Sequence, residues 1–233
     1  MVDDERLSLI DVSSGYGSVA VVRSVSLAVK AGEALAVLGK NGMGKTTLLK
    51  TIVGLLPLQS GEILIAGASA PCSPADLVAR GVSYARQEQP LFQDLSVRDN
   101  LRLALRRDGL LSQALERVVA YFPFLGERLQ QRAGALSGGE QKMLILARAL
   151  MVQPRLLLID EISEGLQPSI LARIATALRQ EVVQGLAILL VEQNIDFALR
   201  VAHRWAVPER GEIRDQGSCY EGARPRIAER LSL

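Results

Sequence analysis

Residues 39–47 read GKNGMGKTT, in which Gly39, Gly44, Lys45 and Thr46 satisfy G-x-x-x-x-G-K-[ST]. That spacing suits a phosphate cradle. Glycines let the backbone close on an anion, and its N–H groups point inward at the start of a helix. Asn41, Gly42 and Thr47 complete the candidate nucleotide-binding stretch. Lys45 would bring an ammonium to the β- and γ-phosphates, and Thr46 would offer its hydroxyl to Mg²⁺. Further along, the apolar run Leu156–Ile159 ends in Asp160 and Glu161. Ligands of open α/β sheets sit at that end of a central strand. Asp160 can hold Mg²⁺, directly or through water, while Glu161 can orient and polarise the water that attacks a γ-phosphate.

A second glycine-rich stretch, LSGGE, spans residues 136–140. Ser137 and Glu140 form an S-x-x-E capping box ahead of the apolar-periodic QKMLILARAL, which explains those two residues as a helix start. Gly138 and Gly139 are not explained that way. Glycine costs helix stability and is useful where something must approach the backbone closely. A bare helix tip is itself an anion site, yet one chain cannot easily close both loops on one γ-phosphate. Two chains facing head to tail can, each lending Ser137, Gly138 and Gly139 to the other's nucleotide.

These groups need a strand before the first loop and a helix after it. ALAVL (34–38) reads as a buried strand, and KTTLLKTIVGLL as a helix stopped by Gly54 and Pro57. EILIAG, VSYA, RLLLID and LAILLVEQ have strand character, so the chain is α/β with a mostly parallel sheet. LSLIDV and VAVVRSVSLAV lack an intervening helix and predict an antiparallel flap. Residues 97–132 carry helical periodicity from a Ser96 N-cap, which predicts a helical subdomain inserted over 89–136 into a nucleotide-binding core of 1–88 and 137–233. Leu91, Phe92 and Leu95 suit equally an exposed apolar patch and the subdomain core.

Composition excludes several functions. The longest apolar runs, such as Gly185–Val191, fall well short of the roughly 20 residues of a spanning helix. The opening MVDDERLS is acidic where an export signal is basic. Cys72 and Cys219 have no partners at metal-ligand spacing, and 27 basic against 25 acidic residues form no marked basic stripe, which argues against nucleic acid. No N-K-x-D stretch for guanine occurs.

In this order, GKNGMGKTT and LSGGEQ make the chain resemble an ATP-binding-cassette (ABC) ATPase over essentially its whole length. The resemblance implies a P-loop NTPase core of RecA type with an antiparallel β flap and the inserted helical subdomain, all as one domain over 1–233. It implies that Tyr16 in SSGYG stacks on adenine and that Gln87 in YARQ reaches Mg²⁺. It also implies that Gln193 in VEQN, where the broad family usually has histidine, presents its amide to the γ-phosphate. Glu161, Lys45 and Gln193 are then the catalytic set, and ATP and Mg²⁺ the ligands. The only histidine, His203, is expected to be a helix-end residue. Ile162, Arg86 and Gln167 depart from the family pattern without removing a group that hydrolysis requires. NGMGKTT, LLLIDEISEGLQP and LLVEQNIDFALRVA resemble the LivF-type ATPases of branched-chain amino-acid importers. The close alternative is a urea or short-amide importer, and a more distant one a non-transport cassette. The implied partners are a second ABC ATPase, identical or related, integral membrane permeases and, indirectly, a solute-binding protein. The implied location is the cytoplasmic face of the inner membrane.

Overall fold

The computed structural model describes residues 4–69, 73–86, 91–220 and 222–232. Gln87 and Cys72 lie outside them. The chain begins with β1 (Glu5–Tyr16), β2 (Val19–Lys30) and β3 (Ala34–Leu38), then α1 (Lys45–Ile52), β4 (Leu58–Ile65), β5 (Ala68–Ser69), α2 (Pro74–Ala79) and β6 (Val82–Ala85). Next come α3 (Val97–Arg102), α4 (Leu111–Tyr121), α5 (Phe124–Glu127) and α6 (Gly138–Met151). The remainder is β7 (Leu156–Asp160), α7 (Pro168–Val183), β8 (Ala187–Glu192), α8 (Ile195–Val201), β9 (Arg204–Glu209), β10 (Glu212–Ser218) and α9 (Ala223–Ser232).

Two sheets result. The six-stranded one runs β10-β9-β3-β8-β7-β6, parallel except for the β10 edge. Every residue of β3, β7 and β8 is buried, which is why their sequences are continuous apolar runs and do not alternate. Side chains nonetheless alternate between two cores. Leu35, Val37, Leu156, Leu158, Leu189 and Val191 pack with α1 and the second sheet. Ala36, Leu38, Leu157, Ile159, Ile188 and Leu190 pack with α6, α7, α8 and the helical region. The second sheet, β2-β1-β4-β5, is antiparallel, as the two opening runs predict.

The helical stretch expected over 97–132 is broken. Ser96 caps α3 as predicted, its side chain accepting from Asp99 N, but α3 ends by Leu103. Pro123 then separates α4 from α5, because its ring and missing N–H interrupt a helix and push Phe122 out of the helical conformation. Leu91 joins the buried core beside Val97 and Leu101, whereas Phe92 and Leu95 are exposed. No helix among the described residues is long and apolar enough to cross a membrane.

Candidate functional site

Three loops meet at the C-terminal ends of β3, β8 and β7, which are neighbours in the sheet and level in register. Leu38 stands opposite Glu192, and Asp160 opposite Val191. The loop after β3 needs its glycines: Gly42 and Gly44 take φ of 84° and 83°, where side chains are strained. A Cβ on Gly39 would lie 2.9 Å from Met43 Sδ. Lys45 opens α1 and is buried. Its ammonium donates to the carbonyls of Gly39 at 2.7 Å and Lys40 at 2.9 Å and pairs with Glu161 Oε1 at 2.9 Å.

Beside it, Thr46 Oγ1 donates to Asp160 Oδ1 at 3.0 Å, and the Tyr84 hydroxyl donates to Asp160 Oδ2 at 3.1 Å. Burial raises the Asp160 pKa against the pull of those two donors. Burial, and then the Asp160 charge, also drive the Tyr84 phenol far above its ordinary value, so Tyr84 remains a donor. The adjacent Thr46 hydroxyl and Asp160 carboxylate are hard oxygens of the kind Mg²⁺ takes.

Glu161 is buried with φ of 46°, a conformation that costs a non-glycine residue on the order of 1–3 kcal/mol and persists only when its surroundings fix it. Its N–H donates to Val191 O at 3.0 Å. Gln193 Nε2 donates to Glu161 Oε2 at 3.1 Å and to Asn41 Oδ1 at 2.7 Å. Lys45 and Gln193 therefore grip opposite oxygens of one carboxylate. Gly39, Asn41, Lys45, Thr46, Asp160, Glu161 and Gln193 come together from three separate stretches of chain.

Other expected residues stand apart from this cluster. Tyr16 is exposed at the end of β1, and the β1–β2 hairpin flanks the loop through Val21 and Val22, which face Gly44. Ser137 caps α6 with a complete capping box. A Cβ on Gly139 would fall 2.4 Å from Ile170 Cδ1, so its smallness serves packing against α7. A Cβ on Gly138 would meet nothing. His203 Nδ1 accepts from Ala34 N at 3.2 Å just beyond α8, which is the helix-end role expected of it. Sequence reasoning missed Tyr84, Ser163 and Glu192. The available signal was a carboxylate closing the otherwise apolar AILLVE.

Away from the three loops, a groove of about 620 Å³ runs between core and helical region. Leu55, Val78, Phe92, Leu103 and Val152 line it as exposed apolar side chains. Arg148 also lines it, and burial lowers its pKa.

Residues 22–164 match the family model described as ABC transporter. The chain belongs to the ABC transporter family. As a cassette of that family it hydrolyses ATP. It is 39% identical over 211 residues to BraG, the high-affinity branched-chain amino acid transport ATP-binding protein of Pseudomonas aeruginosa, covering 89% of this cassette and 90% of BraG. It is 33% identical over 220 residues to LptB, the lipopolysaccharide export system ATP-binding protein of Escherichia coli, covering 92% and 91% respectively. A crystal structure of a nucleotide-free ATP-binding cassette from an ABC transporter superposes with a TM-score of 0.89 over 98% of this cassette and 97% of that chain, at 22% identity. That likeness, with the parallel sheet and its strand–loop–helix order, establishes the P-loop NTPase fold.

Proposed function

We propose that this cassette drives an importer of branched-chain amino acids, paired head to tail with a second ABC ATPase beneath separate membrane permeases. It sits peripherally at the cytoplasmic face of the inner membrane, and a solute-binding protein supplies the permeases. The observation that carries the catalytic reading is the double grip on Glu161, with Lys45 Nζ at 2.9 Å and Gln193 Nε2 at 3.1 Å. A carboxylate so held is aimed, and Glu161 orients and polarises the attacking water.

Lys45 exchanges its loop carbonyls for phosphate oxygens. Gln193 turns its amide N–H toward the γ-phosphate, and it stays neutral at every working pH. Thr46 and Asp160, with Gln87, hold Mg²⁺, which when bound neutralises charge on the transferred phosphoryl group. Tyr16 stacks on adenine, worth on the order of 1–3 kcal/mol. Ser137, Gly138 and Gly139 serve the nucleotide of the facing chain, and the open space over Gly138 supports that role. The apolar groove around Phe92 takes the permease, in which Arg148 awaits an acidic partner. Similarity to BraG supports the solute.

Glu161→Gln should bind ATP, lose turnover by about a thousandfold or more and accumulate a dimer in size-exclusion chromatography with ATP. Normal phosphate release from that variant removes Glu161 as the base. For the solute, the complex purified with its own membrane subunits and solute-binding protein and placed in liposomes should take up labelled leucine as it hydrolyses ATP. Uptake of urea in its place reassigns the transporter.

A further inference from the structure

Glu192 ends β8 and is 1% exposed. The residues before it, Leu186–Val191, are all buried and apolar, so a hydrophobic side chain would continue the strand at lower cost than a carboxylate. No ion pair to Glu192 forms among the described residues, although Lys142 of α6 feels its charge. Hydrogen bonds from neutral donors stabilise it instead. Ser163 N donates to Oε1 at 3.0 Å, Ser163 Oγ to Oε2 at 2.5 Å, and Gln193 N to Oε2 at 3.3 Å; the Asn194 N–H adds to them. Its main chain is committed as well, since Glu192 O accepts from Gly39 N at 3.1 Å. One residue thus touches the start of the phosphate loop, the segment two residues beyond Glu161, and Gln193.

Resting on the reading of Glu161 and Gln193 above, we propose that Glu192 is a positioning residue whose buried carboxylate clamps Ser163 and so fixes the loop carrying Glu161 against the loop carrying Gln193. Glu161 has an unfavourable φ and needs an anchor on each side. Val191 O holds its N–H on one side, and Ser163 is the next fixed point on the other. Satisfied buried networks of this kind specify one geometry. Glu192 itself reaches no phosphate and no attacking water.

The test compares Ser163→Ala, Ser163→Thr, Glu192→Gln and the Ser163→Ala/Glu192→Gln double variant in the full chain. Phosphate release and the affinity for a fluorescent ATP analogue are measured for each. Losing a hydrogen bond to a buried charge should cut kcat about tenfold in Ser163→Ala while analogue affinity stays within about twofold. Ser163→Thr keeps the hydroxyl and should recover most of that loss. In Glu192→Gln one backbone N–H faces an amide NH₂, so kcat falls, and the double variant should be no slower than Glu192→Gln alone. Wild-type kcat in Ser163→Ala overturns the proposal. So does Ser163→Thr no faster than Ser163→Ala, or a loss shared equally by affinity and kcat. Should Glu192→Gln not fold, the alanine–threonine pair decides alone. Glu161→Gln in the same assay separates the two readings. If it is inactive while the Ser163 and Glu192 variants are normal, only the clamp is lost; if it is active, the register that the clamp holds has no purpose and both fall.

Discussion

At the scale of single residues, the site turns on one carboxylate, Glu161, held by one charged and one neutral partner. Lys45 is shared between Glu161 and two loop carbonyls, and Gln193 between Glu161 and Asn41. An imidazole at position 193 would offer one N–H in place of the amide NH₂, and it would titrate. The wild-type rate should therefore show no limb near pH 6.5 from this position. Gln193→His should retain most turnover and acquire one, because imidazole has an ordinary pKa of about 6.5. His203→Gln should leave turnover unchanged, since its Nδ1 accepts from Ala34 N at the start of β3, the end opposite the phosphate loop. A limb in the wild type that disappears in His203→Gln would reverse the roles. Tyr84 is the residue whose function only the fold discloses. In VSYA it reads as an aromatic filling a strand, and only the pairing of β6 with β7 brings its hydroxyl to Asp160.

The elements divide by how fully their surroundings are written in their own residues. β3, β7 and β8 are legible because burial on both faces demands continuous apolar runs, and α1 and α6 because a glycine loop or a capping box marks their start. The Lys45, Thr46, Asp160 and Glu161 set was legible for the same reason: each lies at an end of one of those elements. β9 and β10 were not. RWAVPE carries Pro208, tolerated because β9 pairs with β3 only through Arg204–Ala206, and EIRDQGS is largely polar because it forms an edge. The breaks among α3, α4 and α5 were also hidden, since each piece keeps helical period. α9 is held by packing and by charge: Ala223, Ile227 and Leu231 enter the core at i, i+4 and i+8, while Arg226 and Arg230 both bind Asp215 on β10, and Arg226 also lies 5.2 Å from the Trp205 ring centroid. Hydrogen bonding from Arg226, ahead of other causes, lowers the Asp215 pKa. A lowered carboxylate pKa gives stability above the ordinary value of 3.8 and loses it as pH falls through the folded value. Asp215→Asn should accordingly lower Tm at pH 7 by a few degrees at most, because its arginine partners are half exposed and solvent screens the pairs. The gap to wild type should close as the pH drops below the ordinary carboxylate range. A gap independent of pH would mean that packing, and not charge, holds α9 in place.

For the whole molecule, the decisive fact is where the second glycine loop ends up. Within one chain, α6 begins against Ile170 and Leu166, and its Lys142 donates to Glu164 O. Its neighbours are α7 and the segment beyond Glu161, while the phosphate loop is occupied with Lys45, Asp160 and Gln193. Gly139 is accounted for by Ile170, but Gly138 has no neighbour for a Cβ to meet and does not take a positive φ. In the isolated chain Gly138→Ala should then be a gain of about 0.5 kcal/mol, because alanine loses less backbone freedom on folding. That corresponds to a rise of about 1–2 °C in Tm. If the helix tip closes on a neighbour's nucleotide, the same methyl stands between N–H groups and phosphate. Turnover should fall about tenfold or more, and the ATP-bound dimer of Glu161→Gln should dissociate at higher concentration when Gly138→Ala is added. Wild-type specific activity should also fall on dilution, as a reaction needing two chains must. A Gly138→Ala chain that is more stable and equally active, with a rate strictly proportional to protein at every dilution, would leave each cassette hydrolysing ATP alone, with LSGGE as no more than a well-capped helix start.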